Sequence, residues 1–249
     1  MNVLLLLCLW VLTLARGPAA ELMVYAAASL TDAMQELASL YERQSADKLA
    51  FNFNASSMLV RQIQEGASAD VFFSADEAKM DTLEKAGLLA SGSRQDLLAN
   101  TLVIVVPADS HLRITAAADL TKPEVKKIAV AEPSSVPAGV YTKEYLTRLG
   151  LWDKVLPKVV PTENVRASLA AVESGNVEAG TVYHTDALIS KKVKIAYEVP
   201  PNEGPKITYP VAVLKESRNP DAAKKLLAFF GRTEARTLFE KYGFRVINK

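Results

Sequence analysis

Five short segments of this chain place hydrogen-bond donors where a ligand could reach them. They are AAAS ending at Ser29, NASS with Ser56 and Ser57, VPAG with Ala138 and Gly139, PTENV ending at Val165, and TVYHT with Tyr183 and Thr185. Each follows or ends an apolar, β-rich run and opens a helical pattern. The first N–H groups of a helix have no partner inside it, and the helix dipole leaves partial positive charge there. Several such starts converging on one point would hold an anion. Ala26, Ala27 and Ala28 then have a purpose, since small side chains let a ligand reach main-chain donors. Taken singly, each residue also has a plainer job. Ser29 with Asp32 fits a capping box, and Ser56 or Ser57 and Thr162 suit ordinary N-caps.

Catalytic chemistry has fewer candidates. The chain contains no G-x-S-x-G, G-x-x-x-x-G-K, H-E-x-x-H or G-x-G-x-x-G, so the common hydrolase, nucleotide, zinc-protease and dinucleotide signatures are absent. Of its two histidines, His111 lies in the polar stretch ADSHLR and reads as a surface residue. His184 stands beside Tyr183 and two residues before Asp186, but alternation along a strand would turn it to the side opposite Tyr183. A small-ester hydrolase built on His184 is the enzymatic alternative.

The elements that must position these residues alternate. Strands are expected at 22–27, 49–54, 70–75, 102–107, 127–132, 179–184 and 207–214, with helical periodicity between them. Leu30, Met34, Leu37 and Tyr41 fall on one helical stripe, as do Tyr141, Tyr145 and Leu149 before Gly150. This alternation implies an α/β architecture with mostly parallel sheets. PDAAKKLLAFF and TEARTLFEKYGF read as two closing helices with no strand after them. If the β-branched runs near 100–107 and 207–214 both cross between lobes, lobe I comprises 21–102 plus 209–249 and lobe II comprises 103–208. Two crossings make a two-strand hinge, and the ligand cleft lies between the lobes, at the C-terminal ends of the strands.

Residues 4–14 form an apolar run of eleven followed by small residues around Gly17, Ala19 and Ala20. The run is too short to span a bilayer, so residues 1–20 read as an export signal. No Lys or Arg precedes the run, and a retained anchor is the alternative. The single cysteine, Cys8, leaves with the leader, so the mature chain has no disulfide and no thiolate ligand. Cys8 sits inside the run instead of at its end, which speaks against a lipid anchor. Of 29 Lys and Arg, one (Arg16) lies in the leader, leaving 28 against 28 Asp and Glu. That balance argues against a nucleic-acid or anionic-membrane surface.

The stretches VYAAASLTDAMQEL, FNASSMLVRQIQEGASADVFFSAD, VPAGVYTKEYLTRLGLWDKV, ENVRASLAAVESGNVEAGTVYHTDA, YPVAV and FEKYGF together resemble the periplasmic molybdate-binding proteins of ABC importers, in order and over essentially the whole mature chain. The resemblance implies a two-lobed type II periplasmic-binding-protein fold that closes on molybdate or tungstate and delivers it to a membrane permease, as a monomer and without a cofactor. It implies ligand contacts at Ser29 and Ser56 through hydroxyl and N–H, at Ala138 and Val165 through N–H, and at Tyr183 through its phenol. These would touch the oxygens of the anion and supply no direct metal ligand. The chain departs from the family pattern at Ala55, Met58 and His184. Molybdate is a tetrahedral dianion with four acceptor oxygens and no proton, so a donor-only site suits it, whereas phosphate near neutral pH carries a proton and favours an acceptor. Sulfate is the competing oxyanion. Arg166, next to Val165, is expected on the outer, solvated face.

Overall fold

The computed structural model describes residues 19–247. The export-signal reading of residues 1–20 falls almost wholly outside them. The first part of the chain runs β1 (Glu21–Ala27), α1 (Thr31–Gln44), β2 (Lys48–Asn54), α2 (Ser56–Gln64), β3 (Val71–Phe73), α3 (Glu77–Lys85) and β4 (Gln95–Asn100). The middle runs β5 (Leu102–Pro107), β6 (Ile128–Ala131), α4 (Pro137–Arg148), α5 (Trp152–Val155), β7 (Val159–Thr162), α6 (Val165–Glu173), β8 (Ala179–Tyr183), α7 (His184–Leu188) and β9 (Val193–Glu198). It ends with β10 (Ile207–Val213), α8 (Pro220–Phe230), α9 (Thr233–Lys241) and β11 (Arg245–Val246).

These strands form two sheets, ordered β11-β4-β10-β3-β1-β2 and β7-β6-β8-β5-β9. The architecture is α/β and two-lobed, with one sheet in each lobe. The first crossing between sheets occurs at Thr101, between β4 and β5, and the second runs through 199–206, ahead of β10. The run at 207–214 therefore does not itself cross. It lies in the first sheet, and its Tyr209, Val211 and Val213 are fully buried.

The sheets are mixed, not mostly parallel. β1 pairs parallel with β2 and β3, and β6 pairs parallel with β7 and β8. β5 and β10 run antiparallel to every strand they touch. The reason is topological. Parallel neighbours need a crossover helix to return the chain to the same end, and a strand that enters directly from the other lobe has none. The short β11 pairs with β4 after the two closing helices, where no strand was expected.

Local sequence explains the helices that matter for the site. In α1, Met34, Leu37 and Tyr41 are buried, and Leu30 is buried in the preceding 3-10 turn, so the expected stripe faces the core. α4 opens on Pro137, whose fixed φ suits the first helical position. Its Gly139 lies against the end of β6, where a Cβ would meet the Ala131 carbonyl oxygen at 1.9 Å. Only glycine lets the start of α4 sit that close to the sheet. At its other end Gly150 takes a left-handed φ of 67°, as a helix stop requires. Leu149, expected on the apolar stripe with Tyr145, is exposed instead.

Candidate functional site

Strand ends and helix starts from both lobes meet around one cavity. From the first lobe come Ala27, Ala28 and Ser29 at the end of β1, Asn54, Ala55 and Ser56 at the start of α2, and Ala75 after β3. From the second come Val136, Pro137 and Ala138 at the start of α4, Asn164 and Val165 at the start of α6, and Tyr183 at the end of β8. The cavity is small, about 10 Å³ as swept by the centre of a water-sized sphere. Ser29, Ser56, Ala138, Val165 and Tyr183, marked from sequence, all line it.

The hydroxyls are set as donors. Tyr183 is 1% exposed, and its hydroxyl has no partner among the described residues. A buried unpaired hydroxyl costs about 1–3 kcal/mol, so it calls for a ligand atom. Ser56 Oγ accepts the Ala75 N–H at 3.0 Å, which leaves the serine's own proton to give away. Ser29 Oγ lies 2.9 Å from the Tyr209 hydroxyl. Burial pushes the phenols of Tyr183 and Tyr209 well above their usual pKa, so both keep their protons.

Main-chain donors are selected by their neighbours. Asn164 caps α6, and its side chain takes the N–H groups of Arg166 and Ala167 at 3.0 Å each. Val165 is the amide left over at that helix start. Pro137 has no N–H, so Ala138 carries the first amide of α4. Of the three small residues before Ser29, Ala27 and Ala28 line the cavity, while Ala26 pairs within the sheet between Phe53 and Phe73.

Several readings need correction. Ser29 makes no side-chain cap and lies in a 3-10 turn, Ala28–Leu30, ahead of α1. Asp32 is not a cap either. It pairs with Arg166, Nη2 to Oδ2 at 2.7 Å, across the lobes. Arg166 is not on a solvated outer face. Its side chain is 23% exposed, its Nε lies 2.6 Å from Oδ1 of the fully buried Asp186, and its Nη2 donates to the Ser29 carbonyl at 3.3 Å. Burial outweighs the arginine and pushes the Asp186 carboxyl up to about 6. Thr162 is not the cap of α6, because Asn164 is.

His184 opens α7 instead of alternating along the strand, and its Nδ1 is 3.3 Å from Glu198. Asp186 serves Arg166 and the Tyr183 N–H, so it does not form a triad with His184. Among the described residues, no carboxylate lines the cavity. Asp76, next to Ala75, is occupied in capping α3, with Oδ1 accepting from Lys79 N at 2.9 Å and Ser74 Oγ at 3.2 Å.

Among the described residues, neither a carboxylate nor a cation lines the cavity, and such a wall suits a fully ionised acid. The comparisons agree on the kind of protein. Residues 22–245 match the model of the family described as bacterial extracellular solute-binding protein. The chain belongs to that family. It is 39% identical to the molybdate-binding protein ModA of Escherichia coli (strain K12) over 230 residues, covering 91% of this chain and 89% of that one. The solved periplasmic molybdate-binding protein of Azotobacter vinelandii superposes with a TM-score of 0.84 at 23% identity, covering 91% of this chain and all of that one. The sulfate-binding protein SubI of Mycobacterium tuberculosis H37Rv gives 0.81 at 19%, covering 92% and 88%. At such identities the two structures speak for the shared two-lobed fold alone.

Proposed function

We propose that this solute-binding protein captures one molybdate or tungstate ion between its lobes and presents it, unchanged, to the membrane permease of an ABC importer. The unpartnered Tyr183 hydroxyl, buried in a cavity of donors, carries the reading. Ser29, Ser56 and Tyr183 give hydroxyls to the oxyanion, and Ala138 and Val165 give main-chain N–H. An ion with four acceptor oxygens and no proton satisfies them all, and desolvated neutral dipoles hold its charge. The lobes that close on it have their borders in the two crossing segments, and the protein works as an exported monomer. The similarity to E. coli ModA over nearly the full length of both chains supports molybdate over sulfate.

Thermal unfolding of the ligand-stripped protein with molybdate, tungstate, sulfate and phosphate tests this. An anion at about a thousand times its Kd adds roughly 4 kcal/mol to stability, a shift of several degrees. Molybdate and tungstate give that shift. An equal shift with sulfate defeats the selectivity, and no shift with any anion defeats the site.

A further inference from the structure

Ser29 can donate to a ligand only if its hydroxyl proton points into the cavity, and the residues behind it decide that. Asn100, 3% exposed, stands at the end of β4, just before the first crossing. Its Oδ1 accepts the N–H of Thr101 at 2.9 Å, which fixes the amide orientation and makes Nδ2 the outward group. Nδ2 donates to Thr185 Oγ1 at 2.9 Å and to the Tyr209 hydroxyl at 3.3 Å. An amide nitrogen cannot accept. Tyr209, fully buried on β10, must therefore place its own proton elsewhere, and Ser29 Oγ at 2.9 Å is the acceptor available. With Tyr209 as the donor of that pair, Ser29 does not spend its own proton there and has it left for the cavity. The reverse orientation would leave the Tyr209 proton buried and unpaired, at a cost of about 1–3 kcal/mol. Tyr209 also packs edge-on against the other phenol of the site, Tyr183, with ring centroids 5.8 Å apart.

We propose that Tyr209, directed by Asn100, is a positioning residue that keeps the Ser29 proton free for the ligand and so biases the site against oxyanions that carry a proton. The proposal rests on the oxyanion reading above and adds a determinant of specificity outside the cavity wall. If Ser29 instead spent its proton on Tyr209, only lone pairs would face the ligand, and it could accept from a protonated one. With Tyr209 as the donor, that arrangement is disfavoured.

Selenate and arsenate make a suitable pair of probes, being similar tetrahedral anions of which only arsenate is partly protonated near neutral pH. Their Kd values, with that of molybdate, are measured on the full mature chain and on two variants. Tyr209→Phe keeps the ring and frees Ser29. Asn100→Asp replaces the donor by an acceptor, so that Tyr209 turns its proton back, Ser29 donates to Tyr209, and a lone pair faces the ligand. Both variants are expected to weaken molybdate binding by roughly tenfold and to narrow the selenate-to-arsenate preference by about tenfold. A merely structural role would weaken both probes equally, and an unchanged preference in variants that still bind molybdate overturns the proposal. Should Tyr209→Phe not fold, Asn100→Asp, close to isosteric, decides alone. Failure of the wild-type protein to bind molybdate would instead defeat the functional reading, a separate result.

Discussion

The cavity and the cluster around Arg166 lie side by side and are built from opposite materials. The cavity wall is neutral: hydroxyls, main-chain amides and small apolar side chains. The cluster is ionic: Arg166 from the second lobe bridges Asp186 beneath it and Asp32 on the first lobe. The arginine that a dianion would most readily attract is already engaged by two carboxylates and by the Ser29 carbonyl. Full charges tie lobe to lobe, and dipoles are left for the ligand. Under the proposed function this division would ease release, because a dianion paired directly with a buried cation would be held by a stronger attraction in a low-dielectric cleft.

The comparison can be broken most forcefully at Arg166. Arg166→Leu strands the Asp186 carboxylate without its counter-charge, and losing one partner of a buried pair costs about 3 kcal/mol or more. For a chain of this length that is on the order of 10 °C in unfolding temperature. Calorimetry on the ligand-free protein checks it, and an unchanged midpoint would mean that the pair contributes nothing to the fold. Tyr183→Phe probes the other region. It is expected to weaken molybdate binding by about 1.5–3 kcal/mol, roughly ten- to a hundredfold, while the ligand-free protein unfolds no earlier, since an unpaired buried hydroxyl has been removed. Titration calorimetry paired with a thermal scan separates the two effects. The smallest change belongs to Asp32→Asn. Its side chain is 38% exposed, and pairs of that kind are worth about 0.2–1 kcal/mol and fade with salt. Ligand release should quicken by less than tenfold, and the difference should shrink as salt is raised. A large, salt-independent effect would place Asp32 among the ligand's own determinants.

The sequence made the donor turns legible because helix starts have local signatures. Ser29, Ser56, Ala138, Val165 and Tyr183, marked by those signatures with the family resemblance deciding among neighbours, all line the cavity. What stood out of reach was long-range. Nothing in the sequence around Asn100 or Tyr209 says that they meet each other and Ser29, because those contacts span 109 and 180 positions. Arg166 was misplaced for the same reason, since its main chain serves the site while its side chain crosses to Asp32, 134 positions earlier by number (166 − 32). Asn164, by contrast, was findable as an Asn directly before a helical pattern. The unexpected strands have their own causes. β7 carries Pro161 and sits at a sheet edge, where a missing N–H is tolerated. β11 is two residues long and exists only because β4 offers an edge. β4, QDLLAN, is polar at both ends and reads as loop until β10 and β11 flank it.

The position of β10 has a bearing on how the chain acquires its shape. It lies between β3 and β4, the last large strand in sequence filling the middle of the first sheet. Every strand of the second sheet, from β5 to β9, has been made by residue 198, whereas β4 waits for β10 and β11, its two neighbours. A chain growing from its N-terminus can therefore finish the second sheet while the first is still three strands, β2-β1-β3, with an open edge. The first sheet closes by long-range pairing, the slow kind, since a large loop must be brought together before any contact rewards it. A chain stopped near residue 200 is expected to protect the amides of β5, β6 and β8 from hydrogen exchange and to leave those of β4 open.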